Sequence, residues 1–254
     1  MCKAFSCLVT KSGRVYWKTG IDEHDSLWSM FKDRDKQLME KSGLRWEQQF
    51  ARIEISPQNN NYLNPDKWVF RVDQETPNWL SDDHENKCRQ AHKEWLKEVY
   101  NQINLEEARN PIHPFKIKPP RKIVKKHLEL LREWASVRDS VGDSVWDSVW
   151  ASVWDSVEAS VGDSVWASVR DSVGDSVWGS TWDSVWDSTW AYVGSLFPKI
   201  KIWKYAEKIK AKGYPFNSVV KLWKLGLVPS FDGTNWRLHG GKDAKVLWEG
   251  KTEK

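Results

Sequence analysis

Three groupings in this 254-residue chain have residue types and spacing suited to chemistry. Cys2 is the first. Once Met1 is removed, it carries a free α-amine and a thiol on one residue. The amine, with a pKa of about 8, is a built-in base for a thiol that needs little activation. That pairing makes Cys2 the candidate nucleophile of an N-terminal-Cys amidohydrolase. The second grouping is His84, Cys88 and His92, N and S donors of the kind Zn²⁺ takes. Three ligands spaced i, i+4, i+8 along one straight helix span about 12 Å, too far for one ion. Cys88, Ala91, Trp95, Val99 and Ile103 also form an apolar stripe at the same spacing, so Cys88 reads as core and no metal is expected. The third is basic and aromatic. Lys116, Lys118, Arg121, Lys122, Lys125 and Lys126 precede, and Lys199, Lys201, Lys204, Lys208, Lys210 and Lys212 surround, Trp203 and Tyr205. Lysines interleaved with rings suit single-stranded nucleic acid, charges tracking phosphates while rings stack on bases. Lys122, Lys125, Lys126, Lys199, Lys201, Trp203 and Lys204 are the candidate contacts; the competing reading is a solvated surface that neutralises acidic neighbours. His239-Gly240-Gly241 is a hairpin turn. A P-loop, a dinucleotide fingerprint, triad spacing and CxxC pairs are all missing, and no cofactor is expected.

Between the two basic stretches lies the chain's most unusual feature. From Trp134 to Phe197 the sequence is sixteen tetrads: WASV RDSV GDSV WDSV WASV WDSV EASV GDSV, then WASV RDSV GDSV WGST WDSV WDST WAYV GSLF. Trp134–Trp146 and Trp166–Trp178 are identical, so a 32-residue duplication overlies the four-residue unit. Trp, Arg, Gly and Glu exchange at the first position, and Asp, Ala and Gly at the second, by single base changes. Ser holds the third position through fourteen tetrads, and the fourth stays β-branched until Phe197. The Ser-Val pair is therefore the constrained part. Val, Thr, Ser, Asp, Trp and Gly are poor helix formers, a summed penalty on the order of 30 kcal/mol over the array. A four-residue period also drifts ~40° per repeat round a helix. Because the same residues suit strands and turns, and short repeats stack, the expectation is a narrow β-solenoid with Val inward and the first position outward. The competing reading is a long helix or helical hairpin, since Glu129–Trp134 enters the array as a helix. Nine of the nineteen tryptophans lie here: Trp134, Trp146, Trp150, Trp154, Trp166, Trp178, Trp182, Trp186 and Trp190. If outward, they form an aromatic surface for a protein partner or for self-association.

In architecture this array resembles the pentapeptide-repeat proteins, whose five-residue units build a four-sided solenoid; here the unit is four residues and centres on Val. The stretches MCKAFSCLVTKSGRVYW, YLNPDKWVFRVD and VPSFDGTNWRLHGG, with the SVW-type tetrads, resemble uncharacterised proteins of phages and metagenomes. That likeness covers most of the chain and implies a viral or mobile-element origin without an activity. The strand-turn-strand after Cys2, with Lys18 and Asp22 beyond it, resembles the opening of choloylglycine-type hydrolases, but no oxyanion-hole or later Asn/Arg motif follows.

The elements that would position these groups follow from local patterns. Lys3–Thr10 and Val15–Lys18 are predicted strands about the turn Lys11–Arg14, His24–Lys41 a helix, and Gln48–Ile55 and Trp68–Val72 two more strands. The Asn-rich Gln58–Pro65 is a loop. Ser81 caps a helix running to about Ile103. Proline-rich Asn110–Pro120 is a linker. After the array, Lys204–Lys212 and Asn217–Leu225 are predicted helices, with a hairpin through Asp232-Gly233 and Lys245–Glu249 returning. The expected fold is α+β: an N-terminal α+β domain over 1–104, a basic linker and helix over 105–133, the solenoid over 134–197, and a helix-plus-hairpin cap over 198–254.

Charge is divided within the net +4. The array holds nine Asp and one Glu against two Arg, or −8, between basic shoulders. Three cysteines make no disulfide framework, and no apolar run approaches the ~20 residues of a membrane span. A cytoplasmic protein without membrane contact is expected, in the host cytoplasm if viral. The reading of function is a non-enzymatic structural or binding scaffold, with nucleic-acid binding and Cys2 hydrolysis as alternatives.

Overall fold

The computed structural model describes residues 5–32, 48–58, 62–141, 145–156, 159–177, 182–207, 209, 211 and 213–252. About 48% of the protein is helix and 18% strand, a mixed α/β composition with two small antiparallel sheets. The chain divides into two compact units, Met1–Asn101 and Gln102–Lys254.

The first unit is built on a four-stranded sheet of order β2-β1-β3-β4, with β1 Phe5–Thr10, β2 Val15–Tyr16, β3 Phe50–Ser56 and β4 Val69–Val72. Every residue of β1 is buried, because helices cover both of its faces. On one face, α1 (His24–Phe31) sets Leu27 against Leu8 and Phe50, and Trp28 stacks on Phe50. On the other, α2 (Asp82–Val99) turns Cys88, Ala91, His92, Trp95 and Val99 inward, and Phe5 meets the His92 and Trp95 rings. Helix α2 starts where Ser81 caps it. The Ser81 N–H is accepted by His84 Nδ1, closing a capping box with His in the position usually held by Glu. Of the predicted helix His24–Lys41, the part beyond Lys32 lies outside the described residues.

In the second unit the expected β-solenoid is not found. Four helices carry the array: the end of α4 (Lys125–Val141), then α5 (Val145–Ser156), α6 (Ala159–Val177) and α7 (Trp182–Ser195). A short α3 (Leu105–Arg109) precedes them. After them come α8 (Asn217–Lys224) and a sheet of order β5-β6-β7, with β5 Val228–Phe231, β6 Trp236–Gly240 and β7 Lys245–Gly250. The predicted helix at Lys204–Lys212 is also corrected, since its described residues form turns. With no solenoid there is nothing to cap, and the terminal hairpin is instead a three-stranded sheet whose β5 packs on α7.

Over the length of each described helix, a four-residue period keeps one face. Each helix is short, and its buried valines stand at i, i+4 and i+8: Val145, Val149 and Val153 in α5, and Val161, Val165 and Val169 in α6. Over that span the stripe drifts only about 80°, inside the ~100° apolar face of a core helix. In α7 the same positions are Val185, Thr189 and Val193, all buried. Ser is a poor helix former in isolation, but three of these serines satisfy their hydroxyls by bonding back one turn: Ser152 Oγ donates to Ser148 O at 2.6 Å, Ser140 to Ser136 O at 2.7 Å, and Ser188 to Val185 O at 2.7 Å. Packing of the Val stripe outweighs propensity, which is a weak prior once a helix has tertiary partners.

Candidate binding surfaces

The first tetrad position does not face outward uniformly. Trp134 and Trp190 are buried, at 1% and 3% exposure; Trp150, Trp166 and Trp186 are half-buried, and Trp146 is 37% exposed. Five of these rings gather across α5, α6 and α7. Trp190 lies flat on Trp166 at 4.2 Å and meets Trp146, Trp150 and Trp186 edge-on at 5.7–6.4 Å. Trp134 instead packs on Phe216. The side chains of Trp154 and Trp182, and all of Trp178, lie outside the described residues. Glycine takes the same position where helices meet closely: a Cβ on Gly194 would strike the Tyr214 hydroxyl and stand 3.1 Å from Val149 Cγ2.

Identical tetrads therefore occupy different environments. Arg138 of the first RDSV lies under the second unit's sheet, its Nε 2.7 Å from the Asp187 carboxylate, which is almost entirely buried. Its guanidinium also sits 5.9 Å over Phe231 and 6.0 Å over Trp236. Arg170, its duplicate, is exposed and, among the described residues, pairs with the neighbouring Asp171.

Of the basic candidates, Lys122, Lys125, Lys126, Lys199 and Lys201 are exposed and Lys204 is half-buried. Trp203 is not available for stacking, because it is buried edge-on against Tyr214 at 4.8 Å. Ile200 and Ala206 are buried with it, and the Lys204 N–H donates to Ser152 Oγ of α5 at 2.8 Å. Between these anchors Ile202 and Tyr205 turn outward, 80% and 60% exposed. Tyr205 holds φ +62°, a left-handed conformation that costs a non-glycine residue about 1 kcal/mol or more. A cavity of about 360 Å³ opens beside this segment, lined by Ile200, Lys201, Ser195, Tyr214, Asn217 and Lys224 among others.

Cys2 lies outside the described residues. The zinc-spaced trio is dispersed into separate structural roles. His84 caps α2 and its Nε2 contacts Lys11 O at 3.2 Å. Cys88 is buried beside Cys7, whose thiol burial pushes well above its usual range. His92 stands in a box with Phe5, Trp68 and Trp95, where desolvation lowers its pKa to about 4.

Two groupings escape sequence reading, because strand register rather than local spacing brings their members together. In β5 and β6, Ser230 Oγ and His239 Nε2 are 2.7 Å apart, and His239 Nδ1 is 3.0 Å from Ala244 O. Nδ1 therefore carries the proton and Ser230 donates, a nucleophile-base arrangement; but both residues are buried, and the pair serves as a core hydrogen bond. In the first unit, His24, Glu54 and Asp73 offer ligand atoms within 4.8 Å of one another. Among the described residues no helix is long and apolar enough to cross a membrane. Compared with protein families, curated proteins and solved structures, the chain matches none of them.

Proposed function

We propose that the protein is a non-enzymatic binding scaffold in which the helical array is framework and the segment Lys199–Tyr205 contacts single-stranded nucleic acid. The observation that carries this reading is the alternation in that segment. Ile200, Trp203 and Ala206 are anchored inside, while Lys199, Lys201, Ile202 and Tyr205 are presented outside. An exposed ring fixed by its backbone beside several ammonium groups suits a strand whose phosphates and bases alternate. The array supports the framework role, since its Val, Ser and several Trp side chains are consumed in packing. Of the two rings among these lysines, Tyr205 takes the stacking role and Trp203 anchors the segment.

The test is fluorescence anisotropy of labelled oligo-dT and oligo-U across a salt series, with polyglutamate as the anionic control. Tyr205→Ala should weaken oligonucleotide binding by roughly 5- to 100-fold, the worth of one stacked base. Lys199→Ala with Lys201→Ala should flatten the salt slope by about 1.4. Binding to polyglutamate as strong as to oligonucleotide, or affinity indifferent to all three changes, would remove this function.

A further inference from the structure

We propose that His24, Glu54 and Asp73 bind one divalent first-row transition-metal ion of the zinc class. The site lies wholly within the first unit and is independent of the function proposed above. His24 Nε2 is 3.1 Å from the backbone oxygen of Ile53, which can only accept, so that nitrogen carries the ring proton. In the neutral ring the lone pair of Nδ1 then points toward Asp73, 3.3 Å from Oδ2. Two acceptors face each other at that distance, and a cation between them resolves the conflict. A metal-ligating histidine usually has this arrangement, with its second nitrogen donating to a carbonyl that fixes tautomer and ring angle.

The nearest pair of the three already has the spacing of ligands on one ion. Ligands bound at about 2.0 Å round a tetrahedral ion stand about 3.3 Å apart, the separation seen between His24 and Asp73. Glu54 brings a third ligand atom, all three lying within 4.8 Å. Three elements hold the set in place. His24 opens α1 and is buried. Glu54 is in the middle of β3. Asp73 directly follows β4, its N–H donating to Arg52 O at 2.9 Å, and the Gln74 side chain accepts the Arg52 N–H at 3.0 Å.

A second observation points into the same place. Ser6 stands directly across the β1–β3 ladder from Glu54 and so shares its face of the sheet. Its hydroxyl is buried with no hydrogen-bond partner among the described residues. A metal-bound water in the fourth position would satisfy it. Imidazole with two carboxylates selects zinc-like ions over Mg²⁺ and Ca²⁺, which take all-oxygen shells. Arg71 stands opposite Glu54 on β4, while Arg52 is paired with Asp25 at 3.1 Å.

The experiment is a Co²⁺ titration of the full-length, untagged protein, followed by visible absorption and then displaced with Zn²⁺. One equivalent should bind with the intense d–d bands of a tetrahedral site. Glu54→Gln and Asp73→Asn, which preserve side-chain shape, should weaken binding at least about tenfold while leaving the far-ultraviolet circular dichroism of the metal-free protein unchanged. Absence of saturable binding overturns the proposal, and His24 and Asp73 are then bridged by a proton. Sulfur-to-cobalt charge-transfer bands that survive both variants overturn it as well, placing the ion on a cysteine.

Discussion

Arg138 and Arg170 occupy the same position in two copies of one thirteen-residue sequence, yet the structure assigns them opposite worth. Replacing Arg138 by Ala removes the 2.7 Å ion pair with Asp187 and the guanidinium from above Phe231 and Trp236. Asp187 keeps a side chain only 10% exposed and loses its counter-charge. Breaking a fully buried pair costs about 3–5 kcal/mol. Arg138 is itself 25% exposed, so water screens part of that, and about 2–3 kcal/mol is expected. In a unit of this size the loss lowers Tm by roughly 5–10 °C. Arg170→Ala should change stability by no more than about 0.5 kcal/mol. Urea denaturation followed by circular dichroism, with Asp187→Asn and the double variant closing a cycle, measures the coupling directly. Equal losses at Arg138 and Arg170, or a coupling below about 0.5 kcal/mol, would refute the assignment of the two copies to different environments.

Further outcomes follow from the same packing. His92 has a folded pKa of about 4 against 6.5 when unfolded. The unfolded chain therefore binds the proton first, and stability should fall by about 3 kcal/mol as pH drops from about 6.5 to about 4; His92→Phe should remove that slope in pH-dependent melts. Gly194→Ala should destabilise by about 1–3 kcal/mol through overpacking against Tyr214 and Val149, despite a gain of about 1 kcal/mol in helix propensity; a higher urea midpoint would contradict the close contact. Val153→Asp buries a carboxylate in the Val stripe and should cost several kcal/mol by the same assay. In a Cys2→Ser background, Cys7 and Cys88 should react with a thiol reagent only on unfolding, because both are buried.

Strands and caps were legible because each depends on a few neighbouring residues. The turn at Lys11–Arg14, the alternating β3 and the Ser81 cap all appear where local chemistry puts them. The array misled because propensity was summed over sixty-four residues without the burial of the Val stripe that offsets it. The drift argument loses its force over three tetrads, because across the valines of α5 or of α6 the stripe stays within one apolar face. Val inward was readable from its constancy. The mixed fate of the tryptophans was not, because the choice between Trp134 inside and Trp146 at the surface depends on which helix lies opposite. Trp203 failed for a similar reason: its ring anchors the segment, while Tyr205, two residues on, carries the exposed face. His24, Glu54 and Asp73 carry no spacing signal, since strand register alone brings them together.

The phase of the repeat bears on how its length can change. A gain or loss of twelve bases by replication slippage moves everything downstream by one tetrad, about 6 Å along a helix and ~40° around it. In the middle of α5 or α6, where consecutive tetrads present nearly the same Val face, such a change is a small rotation that neighbouring side chains can follow. At Gly194 it would deliver the Trp190 ring to a place that has no room for it, and at Arg138 it would replace the counter-charge of Asp187 with a ring or a glycine. Copy number should therefore vary between related chains in the interiors of α5 and α6, while the tetrads RDSV at Arg138 and GSLF at Gly194 stay at fixed distances from the residues that follow the array.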